Sequence, residues 1–72
     1  REVKMNSILT EREYEIFTLL VQSYTTDDIA KKLNISTKTA RNHISNVIGK
    51  LGVTSRTQAI IMLLKNGLIK ID

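Results

Sequence analysis

The segment between Ser36 and Gly52 limits the possible folds of this chain more than any other part of its sequence. Its apolar residues fall at i, i+4, i+7, i+8 and i+11, which are Ala40, Ile44, Val47, Ile48 and Leu51. This spacing fills one face of an α-helix and does not fit a β-strand, whose two faces alternate at every residue. Ser36 is a typical first cap and Gly52 a typical stop. The segment is therefore predicted to be a helix with one buried face.

Two shorter helices are predicted before it. The first starts at Thr10, which forms a capping-box pattern with Glu13, and its stripe ends in the small residue Ser23. The second is capped by one of the threonines 25–26 and stops at Asn34, a residue that tolerates the left-handed backbone conformation of a tight turn. Only about three residues separate this helix from the next, which predicts a helix-turn-helix over about residues 25–44.

A fourth helix is predicted over about residues 55–66, with a capping-box pattern at Ser55 and Gln58 and a stop at Gly67. Strand patterns are absent. The expected fold is therefore an all-α domain of four helices covering residues 1–72.

Several classes of function lack support in this sequence. No cysteine is present, which excludes disulfides and thiolate metal sites, and His43 is the single histidine. No nucleophile, paired acid or metal ligand can be matched to Glu13, so we expect no enzyme, metal, cofactor or small-molecule ligand. The longest apolar run, residues 59–64, is far shorter than a membrane span, and residues 1–9 lack the apolar stretch of a signal peptide. We expect a cytoplasmic protein with no membrane partner.

Charge is distributed unevenly along the chain. The first 28 residues hold three basic and six acidic residues, whereas residues 29–71 hold eight basic residues and no acid. The whole chain has a net charge of +4. Such a block of one sign is typical of a surface that binds a polyanion, although a solvated basic face kept for solubility gives the same pattern.

The outer face of the third helix is the strongest functional signal. Opposite the apolar stripe lie Lys38, Arg41, Asn42, Ser45, Asn46 and Gly49, flanked by Thr39 and Lys50. An ordinary solvated helix mixes glutamate with lysine, because such pairs stabilise it. This face carries cations and hydrogen-bond donors only, which are the groups that contact phosphates and base edges in DNA. We therefore predict DNA binding; the alternative is a basic module that binds an acidic partner domain.

Two further features call for a partner. Glu13 lies at the edge of the first helix's apolar stripe, so it should be partly buried and paired, with Arg56 as the first candidate and Arg12 as the second.

The fourth helix has apolar residues on two sides. One of these sides carries Ile61 and Leu64, with Lys65 between them. That side suggests a dimer contact; alternatively, Leu68, Ile69 and Ile71 fold back and cover it.

Four segments resemble one family over residues 9–68. They are "LTEREYEIF" at 9–17, "IAKKLNIS" at 29–36, "KTARNHISNVIGKLGV" at 38–53 and "SRTQAI" at 55–60. These resemble the LuxR-type, or GerE-like, helix-turn-helix domains of bacterial transcription regulators. The pieces "RNHISN" and "KLGV" are most similar to a short stand-alone spore-coat regulator of that family and to response-regulator output domains of Gram-positive bacteria.

The resemblance implies a sequence-specific transcription regulator, and we expect an activator that also contacts RNA polymerase. A recognition helix at 37–51 would enter the major groove of double-stranded DNA, and helix 4 would pair two subunits in a homodimer that is weak without DNA. Implied base contacts are Arg41, Asn42 and Ser45. Implied phosphate contacts are Thr37, Lys38, Thr39, Asn46, Lys50 and Arg56, and implied dimer contacts are Ile61, Leu64 and Lys65. The family's base-reading positions vary, so the operator sequence does not transfer.

Overall fold

The computed structural model describes residues 8–71, and four helices account for most of them. They are α1 at Glu11–Val21, α2 at Thr26–Leu33, α3 at Thr37–Leu51 and α4 at Arg56–Lys65. No strand occurs within these residues. The predicted four-helix, all-α architecture is confirmed.

Every helix begins at a hydroxyl side chain. Thr10, Thr25, Ser36 and Ser55 each accept a hydrogen bond from the backbone N–H three residues later. This satisfies one of the amides that a helix start leaves without a partner. The capping box predicted at Thr10 is confirmed, and Thr25 forms another with Asp28.

The box predicted at Ser55 is half wrong. Gln58 N–H does bond to the Ser55 hydroxyl, but Gln58 Oε1 accepts from the N–H and hydroxyl of Thr54, one residue earlier. The Gln58 side chain therefore orders the α3–α4 turn as well as the start of α4.

The four helix ends also share one geometry. A residue with positive φ follows each helix, at Ser23, Asn34, Gly52 and Gly67. The next residue then donates its N–H to the carbonyl five positions back, at 2.9–3.3 Å. This is the Schellman motif, and it turns that next residue toward the core. The expectation that Ser23 closes the stripe of α1 is wrong, because α1 ends at Val21 and Ser23 is an exposed turn residue.

The core lies where α3 crosses the other helices. α3 packs against α1, α2 and α4. The largest fully buried side chains come from every part of the fold: Phe17, Ile16, Ile29, Leu63, Ile69 and Val47. With all three partners on its inner side, α3 keeps one long face free.

The alternative in which the segment after α4 folds back over the domain is correct in part. Ile69 is 2% exposed and joins the core, and Leu68 packs at its edge. Ile71 stays 64% exposed, and Ile61 on α4 stays 50% exposed. The tail therefore closes one end of the core and leaves part of the outer side of α4 uncovered.

None of the helices described is by itself long and apolar enough to cross a membrane. Taken together, α3 and α4 have the length and apolar composition of a membrane span, but the two helices are bent by 62° at the break between them.

Candidate nucleic-acid interface

The free face of α3 presents the side chains predicted to contact DNA bases. Arg41, Asn42 and Ser45 are all exposed, and they lie on one side of the helix at i, i+1 and i+4. None of the three forms a side-chain hydrogen bond or ion pair within residues 8–71. Their donors and acceptors are therefore available to another molecule.

The N-terminal turn of α3 is ordered by hydroxyl groups. Ser36 Oγ accepts from Thr39 N–H at 3.0 Å, and the Ser36 hydroxyl donates to Thr39 Oγ1 at 2.9 Å. Thr39 then keeps its own hydroxyl proton for a further acceptor. The N–H groups of Thr37 and Lys38 precede the first intrahelical bond, so they point out of the helix start toward solvent.

Thr37 differs from its neighbours because its hydroxyl is already committed. It donates to Asp27 Oδ1 at 3.1 Å, joining the first turn of α3 to the first turn of α2. A hydroxyl has one proton to donate. Thr37 can therefore offer an incoming phosphate its backbone N–H, but not its hydroxyl while this bond holds.

Lys50 is likewise engaged at the other end of α3. Its Nζ lies 2.5 Å from Glu13 Oε1 and 3.0 Å from the Ile8 carbonyl oxygen. The expected pairing of Glu13 with Arg56 is therefore wrong, and so is the second candidate: Arg12 pairs with Glu15 at 3.4 Å. Glu13 faces the last turn of α3 and not the start of α4.

Glu13 is 3% exposed, yet its carboxylate is held in the charged form. Burial raises the pKa of Glu13. The hydrogen bonds from Lys50 and from Thr10 N–H lower it, helped by the charges of Lys50 and His43, so the pKa lies below its usual value. His43 on α3 is half-buried, and its charge makes the smallest of these contributions to the lowered pKa of Glu13.

The basic surface has less free charge in space than the sequence indicates. Residues 29–71 contain no acid, but Glu13 and Asp27 from the earlier helices reach both ends of α3. Acids occupy the first turns of α1 and α2, whereas the first turns of α3 and α4 contain none of their own. Lys38, Arg41 and Arg56 remain exposed and lack an ion pair within the described part of the chain.

The outer side of α4 forms a shallow groove next to the α3–α4 turn. Ile61 and Lys65 line it, together with Gly52, Val53, Thr54, Gln58, Met62 and Asn66. Leu64, the other predicted dimer residue, is half-buried and packs partly against the monomer's own core. Of the predicted trio, Ile61 and Lys65 are exposed and Leu64 is only partly so.

Sequence reasoning missed two participants, Asp27 and the Ile8 carbonyl. In the sequence Asp27 is an ordinary first-turn acid of α2, and nothing in the spacing connects it to Thr37. The Ile8 contact involves the backbone, which carries no sequence signal. A buried carboxylate without a cation on its own helix face was the one available clue to Lys50.

Comparison with known proteins gives the class of this fold. A family model described as "Bacterial regulatory proteins, luxR family" matches residues 7–63. The chain belongs to the luxR family. This confirms the family resemblance, and the chain is therefore a regulator's DNA-binding domain and not an enzyme.

Two relatives and one solved structure are similar over most of the chain. The spore germination protein GerE of Bacillus subtilis (strain 168) is 54% identical over 67 residues, covering 93% of this chain and 90% of GerE. The response regulator protein VraR of Staphylococcus aureus (strain NCTC 8325 / PS 47) is 39% identical over 70 residues, and the match spans 34% of its length. A structure titled "Structure of Transcription factor, GerE" has a TM-score of 0.87 and 58% identity, covering 90% of this chain and 97% of that one.

Proposed function

We propose that this luxR-family domain binds double-stranded DNA in a sequence-specific way, with α3 in the major groove. The observation that carries the proposal is the free face of α3. It presents cations and hydrogen-bond donors with no carboxylate of its own, over a length that fits a major groove.

Within this proposal, some side chains of α3 contact base edges and others contact phosphates, according to where their hydrogen-bond donors lie. Arg41, Asn42 and Ser45 contact base edges, because they are exposed on the middle of the free face. Phosphates are held at the helix start by the N–H groups of Thr37 and Lys38, by the Lys38 ammonium and by the Thr39 hydroxyl. Asn46 and Arg56 hold phosphates further along the backbone.

The functional unit on DNA is a homodimer joined through α4. Ile61 leaves apolar surface exposed beside Lys65, and Leu64 contributes its outer edge. A patch this small buries far less than the ~1,200–2,000 Å² of a stable interface, so the pair forms chiefly on DNA. Two-fold pairing would place the recognition helices about 34–36 Å apart on a palindrome-like site.

The regulatory outcome we propose is activation, with RNA polymerase as a second partner, in the bacterial cytoplasm where the nucleoid lies. The support is the luxR-family membership alone. Transcription in vitro with purified polymerase tests it: activation predicts more transcript from a promoter carrying the selected site, and repression predicts less.

The decisive experiment on DNA binding has two steps. Selection from a random duplex library should return a two-fold related sequence. Titration of salt on that sequence should give a log–log slope of roughly −5 to −9 for a dimer with ~3–5 phosphate contacts per subunit. A slope near zero, with binding to acidic protein domains instead, would favour the protein-interaction alternative.

A further inference from the structure

We propose that Lys50 does not contact DNA but fixes the recognition helix through Glu13, so that Glu13 is a positioning residue for DNA binding. The inference rests on the proposed DNA-binding function, since it concerns how α3 is held for that purpose.

The Glu13–Lys50 ion pair joins three parts of the fold. Glu13 Oε1 accepts one hydrogen bond from the Lys50 ammonium at 2.5 Å and another from Thr10 N–H at 2.9 Å. Lys50 also donates to the carbonyl of Ile8, the residue two before the cap of α1. The Lys50 ammonium therefore connects the last turn of α3 to the buried Glu13 carboxylate at the start of α1 and to the chain that enters α1.

The Lys50 ammonium is costly to redirect. If it moved to a phosphate, it would leave behind a carboxylate that is 3% exposed and has lost its cation. An unpaired buried charge is strongly unfavourable, whereas a phosphate on the duplex surface can be served by other donors or by counterions. Two of its three N–H groups are also already in use.

The pairing has a direct electrostatic consequence for DNA. Counterions are released when a protein cation neutralises a phosphate charge. The charge of Lys50 is already neutralised by Glu13 at contact distance, so Lys50 should add little to the salt dependence of binding. Its contribution is instead geometric.

That contribution matters because α3 is long and its reading residues are far from the pair. Arg41 and Ser45 lie five to nine residues before Lys50 on the same helix. A contact site works only if its supporting residues hold it to within about half an ångström. Loss of the Glu13–Lys50 pair removes this polar contact between the C-terminal end of α3 and α1, and lets the reading face tilt.

The first test is Glu13→Gln, with Glu15→Gln as the matched control. Both changes remove one negative charge from α1, but Glu15 is an exposed residue paired with Arg12. The proposal expects Glu13→Gln to weaken binding to the selected duplex at least fivefold, with Glu15→Gln equal to the parent or slightly tighter. If Lys50 were a phosphate contact, Glu13→Gln would release it and bind more tightly than Glu15→Gln, which would overturn the proposal.

The second test uses Lys50 itself and does not depend on Glu13→Gln remaining folded. Affinity is measured below the melting transition and corrected for the folded fraction. Lys50→Gln should bind at least fivefold weaker with its salt slope changed by less than about 0.3 per subunit, whereas loss of a true phosphate contact lowers the slope by ~0.9. Lys50→Arg, which keeps a cation beside Glu13, should bind within about twofold of the parent.

Two results for Lys50→Gln contradict the proposal. A slope reduced by about 0.9 per subunit identifies a phosphate contact. Unchanged affinity of the folded fraction identifies a purely structural ion pair. If the parent protein itself binds no duplex in any salt, the proposed function has failed, which is a separate result.

Discussion

The Thr37 hydroxyl donates a hydrogen bond to Asp27 Oδ1 over 3.1 Å, tying the first turn of α3 to the first turn of α2. Both helices of the helix-turn-helix are thus joined at their N-termini by a side-chain bond, in addition to the turn at Asn34 that connects them in sequence. The bond decides which donors at this end of α3 remain for DNA.

A pair of threonine substitutions tests this assignment. Thr37→Val removes the bond to Asp27 and should lower the free energy of unfolding by about 0.5–1.5 kcal/mol. It should weaken DNA binding less than Thr39→Val does, because the Thr37 N–H that faces the phosphate is retained. Thr39→Val should weaken DNA binding, since the Thr39 hydroxyl proton is the one left free for a phosphate. Equal losses of DNA affinity in the two variants would show that the Thr37 hydroxyl also reaches DNA. Urea unfolding and duplex titration give both quantities.

Arg41→Ala and Lys38→Ala should fail in different ways. Arg41 is expected to contact a base, so its loss should cost ~1–3 kcal/mol and relax sequence preference at one position. Lys38 is expected to contact a phosphate, so its loss should weaken all sequences alike and reduce the salt slope by about 1 per subunit. Measurement across an operator library distinguishes them. A uniform loss in Arg41→Ala would remove it from the base contacts.

Ile61→Asp should separate dimer formation from folding. Ile61 is 50% exposed in the monomer, so a charge there should leave the fold intact while opposing contact between two α4 helices. Footprinting should then show loss of cooperative protection of paired half-sites, with weak single half-site binding retained. Leu64→Asp is the less clean variant, because Leu64 also packs against its own core. Paired protection that survives in Ile61→Asp would place the dimer contact elsewhere.

Acid should remove part of the stability through Glu13. The folded state lowers the pKa of this carboxyl below its usual value of 4.5, so folding favours the charged form. The resulting stabilisation is fully present above the unfolded-state pKa and is lost as the pH falls through the lower folded-state pKa. Glu13→Gln should be less stable than the parent by about 1–3 kcal/mol near pH 6. The gap should narrow as the pH is lowered below 4.5 in thermal melts. A gap independent of pH would show that the charge of Glu13 is unimportant.

The helix ends offer a prediction on stability alone. Ser23 has a φ of 74°, a conformation that costs an L-residue roughly 1 kcal/mol, so Ser23→Gly should stabilise the domain by about 0.5–1 kcal/mol. Gly52 has a φ of 71° with open space around a would-be Cβ, so Gly52→Ala should destabilise by about 1 kcal/mol through the backbone only. Melting temperatures of the two variants should move in opposite directions. Movement in the same direction would show that the unfolded chain, and not the turn, determines the effect.

The helices and their caps could be predicted because their signals are local. Ser36 and Gly52 determine where α3 starts and stops through bonds to residues within four positions. The partner of Glu13 could not be predicted in this way, since Lys50 lies 37 residues away and the choice depends on how α1 crosses α3. The pairing with Arg56 assumed that α1 faces the start of α4. Exposure of Ile61 likewise required knowing where the tail after α4 packs.

The free face of α3 has a consequence for divergence among regulators of this kind. Arg41, Asn42 and Ser45 form no side-chain bond within residues 8–71, so replacing them should carry little folding cost. Thr37 and Lys50, on the same helix, are bound into the scaffold by Asp27 and Glu13. Under the proposed function, mutation of these three residues can redirect such a domain to new operators while the bonds that hold the helix in place are kept. Gene duplicates of a regulator can in this way acquire separate targets without passing through an unstable intermediate.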